Sequence, residues 1–161
     1  MGVTTPKAAR GGRWRRAKVF QKLIVGIDFT GKSDRAIEAA LRLARGIEGA
    51  TVVLVHAVST MAEVQGTQSA GAEIVTTLEG RLKARAAELT AATGVHCDYG
   101  VVDGPDAATA MVSYLKRWGG DMVVVGTEGR TGLSRVLIGS VAEKIVQTAP
   151  VPVLVIGPAS A

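Results

Sequence analysis

Short, nearly uninterrupted runs of Val, Ile and Leu alternate along this chain with longer stretches whose apolar residues recur at helical spacing. Leu23 to Ile27, Thr51 to Ala57, Val95 to Val102, Met122 to Val125 and Val153 to Ile156 read as strands. Because these runs carry apolar residues on both alternating faces, both faces must be covered, which is the mark of a parallel sheet between helices. The first intervening stretch places Ala36, Ile37, Ala40, Leu41 and Ala44 on one helical face, with Ser33 or Asp34 available as its cap and Gly46 as its stop. A second helix is expected over about residues 72–92 from Ile74, Leu78, Leu82 and Leu89. A third starts at Gly104-Pro105, carries Ala107, Ala108, Met111, Val112 and Leu115, and closes at Gly119-Gly120. The last, Ser140 to Thr148, is broken by Pro150 and Pro152. Right-handed crossovers leave few arrangements for five such strands, and the expected one is a three-layer α/β/α sandwich with strand order 3-2-1-4-5. In that order the winding reverses between strands 1 and 4, and ligands of open parallel sheets bind outside the strand ends at that reversal. The loops following Ile27 and Val125 therefore become the candidate site.

With 161 residues, 47% of them hydrophobic, the chain has the material for one domain core. Its apolar runs are far shorter than the roughly 20 residues that span a bilayer, and residues 1–22 are basic and polar where a secretory signal would be apolar. Met1-Gly2 is followed by Pro6 where a myristoylation motif requires Ser or Thr. The single Cys97 excludes an internal disulfide and fits a reducing compartment, so a cytoplasmic location is expected. Of the 19 basic residues, seven precede Asp28, so the remaining 12 face 14 acids and the net charge of +5 belongs to the N-terminal segment. We expect a basic, solvated and disordered tail over residues 1–19, one domain over 20–158, and a short tail over 159–161. Nucleic acid or membrane contact by the basic tail is the lesser reading.

The loop after the fourth strand runs from Gly126 through Glu128, Gly129, Arg130 and Arg135 to Gly139 and Ser140. Glycine lets a backbone come close to a phosphate chain, and Gly139-Ser140 opens a helix whose first N–H groups and dipole favour an anion. The spacing Gly-x2-Gly-x9-Gly-Ser of Gly126, Gly129, Gly139 and Ser140 resembles the nucleotide-binding signature of ATP-binding universal stress proteins. Further segments are similar to that family in the family's order: Lys22 to Thr30, Leu54 to Ala57, Gly104-Pro105, and Gly139 to Val146.

The resemblance implies an adenine nucleotide alpha hydrolase-like fold and a regulatory role for bound ATP, with Mg²⁺, in stress survival. It implies contacts to the nucleoside from Ile27, Asp28 and Ala57, and to phosphate from Gly126, Gly129, Arg130, Gly139, Ser140 and Val141, with Ser140 as a Mg²⁺ ligand through the phosphates. It also implies a homodimer through Val153 to Ile156, which would otherwise leave an apolar sheet edge open. Two residues carry structural alternatives. Asp28 is also placed to cap a turn, and Ser140-Val141-Ala142-Glu143 has the form of a capping box, in which the hydroxyl serves the helix itself. His56 reads as a packed strand-end histidine, and His96 and Cys97, adjacent on a strand, point to opposite faces and cannot share a metal. Glu128 departs from the family, where a neutral or basic residue is common, and predicts weak or metal-dependent phosphate binding.

No Walker A lysine motif and no Gly-x-Gly-x-x-Gly fingerprint occurs, so a P-loop motor and a dinucleotide-dependent dehydrogenase are not expected. No Ser/His/Asp or Cys/His set lies at the strand ends, which leaves slow ATP hydrolysis as the most that catalysis would amount to. A nucleotide-free stress adaptor acting through protein contacts is the alternative from a different class. A nucleotidyl-transferring enzyme on the same fold is a third, and the sequence Asp28-Phe29-Thr30-Gly31-Lys32-Ser33 lacks the Ser-Gly-Gly-x-Asp-Ser loop of such enzymes. The regulatory protein partner is not legible in the sequence.

Overall fold

The computed structural model of the chain describes residues 20–59, 68–127 and 138–158. The elements run β1 (Lys22–Gly26), α1 (Gly31–Arg45), β2 (Thr51–Ser59), α2 (Gln68–Thr93), β3 (His96–Gly104), α3 (Ala107–Trp118), β4 (Met122–Gly126), α4 (Ser140–Thr148) and β5 (Val153–Ile156). All strand pairs are parallel and the sheet order is β3-β2-β1-β4-β5, as the alternation of runs predicts.

Alternation within each strand divides the core in two. Leu23, Val25, Val52, Leu54 and Val124 turn to one face and pack under α1 and α2, against Ile37, Leu41 and Leu82 among others. Ile24, Val53, Val55, Val123 and Val125 turn to the opposite face and meet Met111 and Leu115 of α3 and Ala142 and Ile145 of α4. Leu23, Ile24 and Leu54 have no solvent exposure, and each stabilises the fold by about 1.5–3 kcal/mol relative to an exposed position.

Several boundaries differ from expectation. The cap of α1 is Thr30, whose side chain accepts from the Lys32 N–H, rather than Ser33 or Asp34; Ser33 lies inside the helix, buried, and serves Asp28 instead. Gly46 closes α1 as expected. In α3 the start moves from Gly104-Pro105 to Ala107, because Asp106 is the cap and accepts from the Thr109 N–H at 3.0 Å. The α2 helix begins at Gln68, earlier than the apolar periodicity suggests. Ile27 stands just beyond β1, held by its N–H donating to the Val55 carbonyl at 2.8 Å. The tail over residues 1–19 and the loop residues Glu128, Gly129, Arg130 and Arg135 lie outside the described residues.

Candidate functional site

The ends of β1, β2 and β4 and the first turns of α1, α3 and α4 enclose a cleft of about 280 Å³, near the lower end of small-molecule sites. The topology produces it. α1 leaves β1 toward one face of the sheet and α4 packs on the other, so among the described residues a gap is left above the β1/β4 junction. Of the residues singled out from the sequence, Ile27, Asp28, Ala57, Gly126, Gly139, Ser140 and Val141 all line it. Gly129 and Arg130 are outside the described residues.

Ala57 owes its place to strand length. The Val55 carbonyl accepts from Ile27, so the polar groups of Val55 face the β1 side. Those of Ala57, two residues on, face the same side. β1 pairing ends at Gly26 opposite Val55. The Ala57 main-chain N–H and C=O therefore look into the cleft with no strand opposite them among the described residues. A neighbouring donor and acceptor in that arrangement match a planar base edge that offers one acceptor and one donor. Ile27 differs, because its N–H is given to Val55 and its carbonyl accepts from His56 Nδ1 at 2.7 Å. What it presents is apolar surface, shared with Val55 and Met111.

Asp28 is built into a local network. Its Oδ1 accepts from the Thr30 N–H at 3.0 Å, from the Thr30 hydroxyl at 2.6 Å, and from the Ser33 hydroxyl, while the Asp28 N–H donates to Ser33 Oγ at 2.9 Å. The turn-capping alternative is thus realised. Partial burial raises the Asp28 pKa, but the hydrogen bonds from Ser33 and Thr30, with the charge of Lys32, outweigh it and leave the carboxyl below its ordinary value. An ionised carboxylate only accepts, so Asp28 suits a ligand hydroxyl or amine and repels a phosphate.

Phe29 holds this loop in an unusual conformation, with φ of 58°. For a bulky side chain that is strained backbone. Its ring is clasped by His56 at 5.0 Å between centroids and by the Arg81 guanidinium at 4.1 Å from the ring centre. Since the Ile27 carbonyl only accepts, His56 Nδ1 carries the proton, and the histidine fixes the loop as the packed strand-end residue the sequence suggests.

At the opposite wall, α4 begins with Gly139 as its cap, and no side chain caps it. The first bond inside the helix runs from the Glu143 N–H to the Gly139 carbonyl at 2.9 Å. The N–H groups of Ser140, Val141 and Ala142 accordingly have no acceptor within the helix. This corrects the capping-box alternative: Ser140 is the first helical residue, its hydroxyl makes no cap bond, and it lines the cleft. The open N-terminus of a nine-residue helix favours an anion there. Beside it, Lys144 donates to Asp106 at 2.7 Å and ties α4 to the start of α3.

Lys32 and Ser33 also line the cleft, and the sequence reading assigned neither to it. Helical periodicity put Ser33 at a cap, and only the placement of α1 over β4 brings Lys32 beside Gly126. Among the described residues, no three His, Cys, Asp or Glu side chains converge on a metal position, and no helix is long and apolar enough to cross a membrane.

Comparison with known proteins adds to this geometry. A sequence model of the universal stress protein family matches residues 20–157. Universal stress protein YxiE of Bacillus subtilis is 28% identical over 149 residues, covering 86% of this chain and 99% of its own. A universal stress protein solved in complex with cAMP has a TM-score of 0.62 at 20% identity, covering 86% of this chain and 97% of its own. A family protein from Arabidopsis thaliana solved with AMP bound has a TM-score of 0.62 at 16% identity, covering 87% and 93%.

Proposed function

The chain belongs to the universal stress protein family, and from that premise we propose that it binds ATP as a regulatory ligand rather than as the substrate of fast chemistry. One observation carries the reading: a single cleft has a main-chain donor and acceptor at Ala57 on one side and the N-terminus of α4 on the other, both without a partner among the described residues. The first suits the Watson–Crick edge of adenine, whose N1 accepts and whose amino group donates. The second suits phosphate. Between them Asp28, an acceptor only, takes the ribose hydroxyls. The structures of family members with cAMP and AMP bound support an adenine nucleotide as the ligand.

Among the described residues the oxygen donors on the phosphate side are few, with Ser140 supplying a hydroxyl at the start of α4. That donor set fits a Mg²⁺ held mainly by the phosphates and their waters, with Ser140 as a protein ligand. When bound, the ion would neutralise phosphate charge. For hydrolysis no base and nucleophile pair lies along the described walls, so ATP should persist and its occupancy should govern partner binding. A cytoplasmic location and a homodimer through the open edge of β5, whose four residues are all partly exposed, complete the proposal.

The test is to denature freshly purified protein, identify any released nucleotide by chromatography, and titrate the emptied protein with ATP by calorimetry with and without Mg²⁺. Released adenine nucleotide near one per chain, or saturable ATP heat, is expected. No co-purified nucleotide, no heat and no thermal shift at about millimolar ATP, where binding free energy is only about 4 kcal/mol, would leave the nucleotide-free adaptor in its place.

A further inference from the structure

We propose that Lys32 is the residue that, among the described ones, makes this cleft select for phosphate charge, so that a side chain on α1 steepens the rise in affinity from adenosine to AMP to ATP. The inference rests on the nucleotide reading above and deepens it. Among the described cleft residues only Asp28 and Lys32 carry a formal charge. Without Lys32 that wall would be negative, and a polyanion would meet a net repulsion from Asp28.

Position decides which end of the ligand Lys32 serves. A Cβ placed on Gly126 would lie 2.6 Å from the Lys32 carbonyl oxygen and 3.2 Å from the Lys32 Cβ. The root of the lysine therefore sits against the end of β4, where the glycine-rich loop begins, and not at the β2 end where Ala57 stands. α1 packs on one face of the sheet and α4 on the other. A phosphate chain crossing the β1/β4 junction then has the helix N–H groups of α4 on one side and the α1 turn that carries Lys32 on the other. Lys32 is also near enough to Asp28 to help depress its pKa, so its charge is felt inside the cleft.

Lysine suits this task as a compact point charge. It does not read shape, so it distinguishes ligands by how many negative charges they bring. Base recognition remains with Ala57, at the end of β2. The consequence is a separation of roles: removing the lysine should change the ranking of ligands and not merely weaken all of them.

The experiment is calorimetry of the full chain with ATP, AMP and adenosine, for the wild type, Lys32→Gln, Lys32→Arg and the control Arg45→Gln. Arg45 is an exposed cation at the far end of the same helix. With Lys32→Gln, ATP affinity should fall about tenfold or more, the scale of a lost charge-assisted hydrogen bond, AMP less, and adenosine by less than about twofold. Lys32→Arg should recover most of the ATP affinity, and Arg45→Gln should match the wild type. The salt dependence of ATP binding should also flatten in Lys32→Gln. Equal losses for ATP and adenosine, or no loss for ATP, would overturn the proposal. Failure of the wild type to bind any of the three ligands would instead defeat the nucleotide reading itself, and that isotherm alone tells the two failures apart.

Discussion

Gly126→Ala is the sharpest probe of how the cleft is assembled. The added Cβ would stand 2.6 Å from the Lys32 carbonyl oxygen and 3.0 Å from its carbon, where ordinary contact begins at 3.4 Å. The obstruction is backbone, not the flexible end of a side chain, so α1 or β4 has to move by most of an ångström. The α1 turn that would shift also carries Ser33, which holds Asp28. Overpacking of this kind costs about 1–3 kcal/mol. At about 2–4 °C per kcal/mol for a chain of this length, the melting temperature should drop by about 2–12 °C. ATP affinity should fall as well, because Asp28 and Lys32 move away from the α4 N-terminus. Gly31→Ala is the control: a Cβ there has nothing within 4 Å, and the residue is the first of a helix, so no loss is expected and a gain of up to about 1 kcal/mol is allowed. Differential scanning fluorimetry followed by calorimetry measures both effects. A Gly126→Ala protein melting within a degree of the wild type, with unchanged ATP affinity, would refute the claim that this glycine is required by the approach of α1.

Ser140→Ala separates the two roles first considered for that hydroxyl: because no cap bond is made, stability should stay within about 0.5 kcal/mol while ATP affinity drops about tenfold, and a destabilised protein with normal affinity would reverse the assignment. Ser33→Ala removes a buried partner of Asp28, so the Asp28 pKa should rise, as followed by carboxyl NMR, with about 1–3 kcal/mol lost from stability. Asp106 is held below the usual carboxylate range, chiefly by the hydrogen bond from Lys144 and then by those from Thr109. A depressed folded pKa stabilises the fold above the unfolded value of about 4, and that contribution disappears as pH falls through the folded pKa; Lys144→Met should raise the Asp106 value and reduce the acid sensitivity, which an acid titration by circular dichroism and NMR would check. Val155→Lys should shift light scattering from dimer to monomer if β5 joins two copies, and an unchanged mass would discard that interface.

Much of this architecture follows from local patterning. Unbroken runs such as Val123-Val124-Val125 can be satisfied only with cover on both faces, and right-handed crossovers then leave little choice of strand order. That order locates the cleft, and with it Asp28, Gly126, Gly139 and Ser140 became candidates before any coordinate was known. What periodicity could not supply were contacts set by how far one element runs past another. Ala57 is notable only because β1 stops opposite Val55 and leaves the next inward-facing peptide of β2 without a strand partner among the described residues. Ser140 had the sequence of a capping box, yet Gly139 takes the cap position and frees the hydroxyl, a choice made by where the chain enters α4. Ser33 reads in the sequence as a helix cap and Lys32 carries no role there; the packing of α1 against β4 sets one on Asp28 and the other beside Gly126 at the end of β4. Sequence alone thus determined the layers, the strand order and the end of the sheet where the cleft opens, because those follow from side-chain burial repeated many times along the chain. The polar constellation inside the cleft was decided by tertiary structure, because each of its contacts depends on a register or an approach distance of a few ångströms between elements far apart in sequence.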